Sequence, residues 1–212
     1  MRKLFLLGAA FFAFNAPLAN VAYAEDAAVV EAEHYSFDKA HTQILFFVDH
    51  LGFSKSQGEF HDYDGYFTFD RENPANSKVD VTIQTASIDM DDKAWDDHMK
   101  NQDFFDVEKF PTMTFKSTEI KVTGENTADI VGDFTLLGVT KPVTLKVTHN
   151  KSDKHAFSGK YVAGLSATAT IKRSDFGMNY GLPAVGDDVN IMIEVEGIRT
   201  EVEANSEEKA AE

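Results

Sequence analysis

The stretch GDFTLLGVTKPVTL, Gly132–Leu145, reads as a strand, a turn and a second strand. Phe134 and Leu136 alternate with Asp133 and Thr135, Leu137-Gly138 interrupts, and Val143 and Leu145 resume the beat around Thr144. A period of two sends successive side chains to opposite faces, the mark of a half-buried strand. The turn-forming cluster between the two runs makes them antiparallel neighbours.

The same beat recurs along the chain. In QILFFVDH, Ile44, Phe46, Val48 and His50 fall on one face and Gln43, Leu45, Phe47 and Asp49 on the other. It returns in Val79, Val81 and Ile83, in Met113 and Phe115, in Leu165, Ala167, Ala169 and Ile171, and in Val189, Ile191, Ile193 and Val195. Clusters such as DYDG at Asp62, RENPANS at Arg71 and TGENT at Thr123 separate the runs. The count is about eight antiparallel strands, an all-β fold.

One segment departs from the pattern. SIDMDDKAWDDHMKNQDFF carries Asp89, Asp91 and Asp92 early and Lys100 late, the polarity a short helix favours, with Ala94, Trp95, His98 and Met99 at helical spacing. Such a helix, inserted between strands, would cap or plug one end of the sheet. Eight strands must either close or stack as a sandwich, because open edges invite aggregation. A closed barrel of that size has an interior for side chains or one small ligand. Periodicity does not choose between the two, although Gly58, Gly65 and Gly132 within strands suit the bends of a barrel.

Residues 1–24 read as a signal peptide: Arg2 and Lys3, an apolar run from Leu4 to Phe14, then Ala22-Tyr23-Ala24 as the cleavage signature. Cleavage would leave one exported domain, residues 25–200, and an acidic, disordered tail, residues 201–212. No later run approaches the roughly 20 apolar residues of a membrane span, so no integral membrane segment is expected after processing. The chain has no cysteine, which removes disulfides, thiolate nucleophiles and sulfur-ligated metals from consideration. Without Arg2 and Lys3, the 20 basic residues become 18 against 35 acidic ones, a net charge of −17. That balance disfavours nucleic acid and anionic lipid surfaces as partners.

Five phrases in order resemble the YceI family: AHTQILFFVDHLGFSKSQGEF, YDGYFTFDRENPANSKVDVTI, DFFDVEKFPTMTFKST, GDFTLLGVTKPVTL and KRSDFGMN. The resemblance runs from about Tyr35 to Arg199. It implies an extended eight-stranded antiparallel lipocalin-like barrel with one short inserted helix, exported to the periplasm. It also implies a polyisoprenoid or similar long-chain amphiphile bound in the hollow, as cargo, store or sensed ligand, and no catalysis. Members are often homodimers, and exposed Leu45 and Phe47 are here read as available to a second copy or to a neighbouring loop. No cofactor is expected, other than a bound isoprenoid, quinone-like or fatty amide ligand.

Phenylalanine supplies 18 of 212 residues, and FFDVEKFPTMTF, Phe104–Phe115, concentrates four of them around Pro111. These rings either pack on one another or wall a cavity. In the second reading the lipid-contacting set is Ile44, Phe46, Val48, Phe67, Phe69, Val81, Phe104, Phe105, Phe115, Phe134 and Leu136, with His98, Arg173 and Asp175 at the mouth or headgroup. Phe104 and Phe105 end the capping helix, and Phe115 opens the next strand toward the hollow.

Overall acidity would repel a pyrophosphate head, for which Lys172, Arg173 and Lys141 are the few compensating cations, so a neutral head suits the chain better. Asp175 is expected to accept backbone N–H groups where KRSDFGMN leaves its strand.

Other chemistries find little support. His98 lies between acidic neighbours as a surface or mouth histidine. His41 and His50, nine positions apart on one extended run at about 3.4 Å per residue, would be too distant to share a metal. DMDDKAWDD lacks the glycine and alternating oxygens of a calcium loop, and GLSAT is one residue short of a nucleophile elbow. No metal site is expected. The rival functions are an enzyme that modifies such a lipid, and a stress-response interaction protein whose barrel is filled by its own side chains.

Overall fold

The computed structural model describes residues 32–200. The leader and the acidic tail lie outside the described residues.

The described residues form eleven strands: β1 Glu33–Phe37, β2 Gln43–His50, β3 Ser54–Phe60, β4 Tyr63–Phe69, β5 Lys78–Gln84, β6 Ile88–Asp89, β7 Thr112–Gly124, β8 Thr127–Leu136, β9 Val139–Lys154, β10 Tyr161–Lys172 and β11 Val185–Thr200. One α-helix is present among the described residues, α1, Lys93–Lys100. All the pairings are antiparallel, in the order β1-β4-β5-β7-β8-β9-β10-β11, and β1 pairs back onto β11 to close an eight-stranded barrel. Closure, which periodicity left open, comes from this one non-local pairing, in which Tyr35 faces Arg199.

The long strand β11 serves two partners. Its last turn of ladder, Gly197–Thr200, holds β1, while Val189–Glu194 holds β2. At the second end of the barrel, therefore, β2, β3 and β6 stand where β1 and β4 stand at the first. Helix α1 packs against β6 at this end.

Local chemistry explains the helix bounds. Asp92 caps the N-terminus, its Oδ1 accepting the Trp95 N–H at 3.0 Å. Asp96 Oδ1 accepts the Met90 N–H at 2.7 Å, tying the helix to β6. The expected helical segment is thus shorter than the sequence pattern: Ile88-Asp89 is strand, and Phe104 and Phe105 lie in the turn beyond Lys100. The DYDG cluster also divides differently, since Asp62 lies just before β4 and Tyr63 already begins it. His41 precedes β2 and pairs with Asp38 at 3.0 Å, so it does not share a strand with His50.

The first end is sealed by side chains. Tyr35 and Phe67 stack with ring centroids 4.8 Å apart. Gly197 is required beneath them, because a Cβ there would fall 2.3 Å from the Phe67 ring. The Tyr35 hydroxyl donates to Glu33 at 2.6 Å, and Glu33 also accepts from Arg71 at 2.8 Å and Arg199 at 2.7 Å. Burial, with the Glu33 carboxylate second, pushes the Tyr35 hydroxyl up to about 12. The two guanidinium groups flank the Tyr161 ring at 4.9 and 4.3 Å. Aromatic and ionic layers together stopper the barrel.

Candidate lipid cavity

Between this stopper and α1 lies a cavity of about 350 Å³. That is the small end of the roughly 300–1,000 Å³ typical of ligand sites. Its walls come from almost every strand: Phe46 and Val48 of β2, Val79 and Val81 of β5, Phe115 of β7, Phe134 of β8, Val143 and Leu145 of β9, and Ile191 and Ile193 of β11. Many of these inward valines and isoleucines are half-buried rather than buried. An apolar side chain facing inward yet still reachable by solvent faces empty space, so the phenylalanines do not consume the interior by packing on each other.

Glycines let the aromatic walls lie close to the backbone. A Cβ at Gly132 would stand 2.4 Å from Phe115 Cζ, and one at Gly58 2.4 Å from Phe46 Cζ. Thr85 fixes the FFDVEKFPTMTF segment, its hydroxyl donating to Phe110 O at 2.7 Å and its N–H to Pro111 O at 2.9 Å. The Phe105 N–H donates to Met99 O at 3.0 Å. Phe104 and Phe105 are thereby turned inward beside α1, where Phe105 meets Phe60 edge-on at 5.4 Å.

Of the residues the sequence singled out, Ile44, Phe46, Val48, Phe67, Val81, Phe104, Phe105, Phe115, Phe134 and Leu136 all line this cavity. Phe69 does not. It has the same strand phase as Phe67 but sits one step further into the stopper, with its ring 5.1 Å from that of His149 and 5.8 Å from the Arg71 guanidinium. Leu45 and Phe47 are half-buried rather than exposed, on strand positions that pair with Met192 and Asn190 of β11.

The mouth residues also differ from expectation. His98 lines the cavity beside Tyr180, ring centroids 5.2 Å apart, and pairs with Asp103 at 3.2 Å. Arg173 reaches the cavity wall but is only 2 % exposed. Its guanidinium donates to Gly186 O at 2.7 Å, Tyr180 O at 2.8 Å, Val185 O at 3.0 Å and Met178 O at 3.1 Å. It clamps the loop before β11 and is no gatekeeper. Asp175 accepts the Lys141 ammonium at 3.2 Å instead of backbone N–H groups. That task falls to Asp187, which accepts the Ser174 N–H at 2.9 Å and its hydroxyl at 2.8 Å. Lys172 pairs with Asp188 at 2.8 Å. The three cations considered for a phosphate head are all engaged elsewhere.

Of the wall residues outside the sequence-derived set, His50, Ser56, Trp95 and Tyr180 keep side-chain polarity with no hydrogen-bond partner among the described residues. His50 and Ser56 both line the cavity, on neighbouring strands whose register pairs Val48 with Ser56 and His50 with Ser54. Neither side chain has a hydrogen-bond partner among the described residues. The deeper hydroxyls, by contrast, are satisfied internally: Tyr63 donates to Thr42 O at 2.9 Å, and Thr42 to Glu196 O at 3.3 Å. The alternation of β2 pointed to His50; Ser56 sits in SKSQGEF, where no apolar beat marks an inward face.

Among the described residues two histidine–carboxylate clusters occur on the surface, His41 with Asp38 and Glu196, and His61 with Glu59 and Asp89. Both are accounted for by hydrogen bonding, His41 Nδ1 lying 3.0 Å from Asp38 and His61 Nε2 3.0 Å from Asp89.

Comparison with known proteins agrees with this architecture. The YceI-like domain family matches residues 35–197. A UPF0312 protein of Pseudomonas aeruginosa is 45 % identical over 170 residues, covering 79 % of this chain and 88 % of that one. A UPF0312 protein of Pectobacterium carotovorum is 44 % identical over 172 residues, with the same coverages of 79 % and 88 %. Among solved structures, Burkholderia cenocepacia BcnA superposes with a TM-score of 0.69 at 26 % identity, over 76 % of this chain and 98 % of its own. The Campylobacter jejuni YCEI protein gives a TM-score of 0.64 at 32 % identity, over 72 % and 90 %. A polyisoprenoid binding domain from Saccharophagus degradans shares the fold at 11 % identity, with a TM-score of 0.61 over 80 % and 99 %. The chain, by the extent of the family match and the identity of its relatives, belongs to the YceI-like domain family.

Proposed function

We propose that this protein binds a long-chain isoprenoid-type or other amphiphilic lipid inside the barrel, as a periplasmic carrier, store or sensor, without chemically changing it. The observation that carries the reading is the apolar hollow, whose one charged wall residue, Arg173, spends its guanidinium on four backbone carbonyls. The polyisoprenoid binding domain of shared fold fits the same reading. The leader-like segment at residues 1–24 supports export.

Burying about a dozen carbons at ~0.8 kcal/mol each gives a gross gain on the order of 10 kcal/mol. Ordering and association costs remove part of it, leaving room for micromolar or tighter binding. His50 and Ser56 would supply the polar contacts, a donor or acceptor imidazole and a hydroxyl. They suit a neutral carbonyl, amide or hydroxyl head, such as that of a quinone, fatty amide or unphosphorylated isoprenoid. A diphosphate would meet no uncommitted cation there.

Competition binding at moderate salt tests the assignment. A neutral-headed isoprenoid should displace a fluorescent long-chain probe at lower concentration than its diphosphate, and His50→Ala with Ser56→Ala should remove most of that preference. A diphosphate that wins the competition would overturn the headgroup reading.

A further inference from the structure

At the α1 end of the cavity stand apolar side chains that the fold does not bury. Phe53 is 88 % exposed and Leu51 48 % exposed at the β2–β3 turn, Tyr180 is 48 % exposed on the loop before β11, and Trp95 is 36 % exposed on α1. These three segments adjoin. The Leu51 N–H donates to Ala184 O at 3.1 Å, the His50 and Trp95 rings lie 6.1 Å apart, and the His98 ring bridges to Tyr180 at 5.2 Å. Trp95 and Tyr180 belong to the rim and to the cavity wall at once.

Folding gives no reason for this rim. Leu51 and Gly52 have φ of 58° and 73°, and the Phe53 N–H closes the turn onto His50 O at 3.0 Å. A tight hairpin turn with positive φ at both central positions favours Asn-Gly, and a leucine there is conformationally unfavourable. Phe53 meanwhile buries almost none of its ring. An apolar side chain held against both conformational preference and solvation points to something outside the fold.

We propose that the rim docks the open end of the barrel onto the interfacial region of an electroneutral lipid bilayer, so that the bound chain passes between bilayer and cavity without crossing water. The inference rests on the lipid-binding reading above. Tryptophan and tyrosine beside exposed phenylalanine and leucine match the amphipathic depth profile of a membrane interface. The same rim carries Asp91, Asp92 and Asp97 around Trp95, with Lys93 committed to Asp97 at 2.6 Å. That charge, on a chain of formal net charge −15, selects against anionic headgroups and leaves apolar insertion as the attraction. Transfer by contact is also what the cargo demands, because a long apolar chain leaves its lipid phase for water only slowly.

Trp95 is the only tryptophan in the chain, so its fluorescence reports on the rim directly. On titrating full-length protein with phosphatidylcholine–phosphatidylethanolamine vesicles, the emission should shift to the blue and be quenched by brominated acyl chains. Vesicles enriched in phosphatidylglycerol should bind at least several-fold more weakly. The variant Leu51→Asn with Phe53→Ser should fold with equal or greater thermal stability and lose about tenfold or more of vesicle affinity. It should still take up a long-chain probe delivered from cyclodextrin, which separates failure of docking from failure of cavity binding. A spectrum unchanged by vesicles, equal binding by the variant, or preference for anionic vesicles would overturn the proposal. So would a concentration-dependent dimer abolished by the same substitutions, which would assign the rim to a second copy.

Discussion

The Phe115 ring lies directly over Gly132 on the neighbouring strand, so close that a Cβ on the glycine would stand 2.4 Å from Phe115 Cζ and 2.7 Å from Lys116 O. One wall of the cavity is therefore set by the absence of a side chain. Gly132→Ala should push the ring into the hollow and strain the β7–β8 ladder. Overpacking of this kind costs about 1–3 kcal/mol, so the melting temperature should fall by roughly 2–12 °C, with weaker uptake of a long-chain probe. Unchanged melting and uptake would show that the wall yields freely.

Filling the hollow should separate binding from folding. Val143 and Val189 are half-buried wall residues facing empty space. The double substitution Val143→Phe, Val189→Phe should leave a folded barrel by circular dichroism that no longer retains a long-chain probe. Phe115→Asp should also abolish retention, though at a cost in stability, since an unpaired carboxylate in an apolar wall is poorly solvated. A filled variant that binds as well as the parent would place the ligand elsewhere.

Arg173 is expected to behave as a structural residue. Replacing it by Met would strip partners from the carbonyls of Met178, Tyr180, Val185 and Gly186. At about 1–3 kcal/mol for each buried orphan, a loss of about 3 kcal/mol or more should follow in a urea melt. Lysine, a point charge without the planar fork, should rescue little of it. A mild Arg173→Met phenotype with lost headgroup discrimination would instead restore Arg173 to the ligand.

Acid should destabilise the protein in two stages. Burial first, then the Arg71 charge, holds the His149 imidazole below its usual range. The neutral form is favoured in the fold, so its stabilisation is full above the ordinary histidine pKa, ~6.5, and is lost as pH falls through the lowered value. Asp187 is held below the usual carboxylate range chiefly by the Ser174 N–H, with the Ser174 hydroxyl adding to it. Its contribution is full above ~3.9 and is lost only below that. A plot of melting temperature against pH should decline first below ~6.5 and again below ~4. His149→Gln should remove the upper decline and Asp187→Asn reduce the lower one. An upper limb that persists in His149→Gln would assign it to another group.

Much of this was legible because alternation is local. The apolar beats of β2, β5, β7 and β8 put Ile44, Phe46, Val48, Val81, Phe115, Phe134 and Leu136 on inward faces without knowledge of their neighbours, and all seven line the cavity. What escaped the sequence depends on contacts distant along the chain. Phe69 shares the phase of Phe67, and only the convergence of Arg71, His149 and Arg199 shows that its end of the barrel is stoppered. The backbone N–H role expected of Asp175 belongs to Asp187, because the carboxylate that serves Ser174 comes from the start of β11, thirteen positions on. Ser56 was invisible because β3 carries a single apolar side chain, Phe60 at its end, and its inward direction follows from pairing with Val48.

The most direct test is mass spectrometry of an organic extract of the purified, folded protein, run beside the Val143→Phe, Val189→Phe variant. The parent should release a near-stoichiometric long-chain species with an uncharged head, and the variant should release none. A parent that extracts empty after expression in its native host, or one that yields a diphosphate, would contradict the cavity and headgroup assignments respectively.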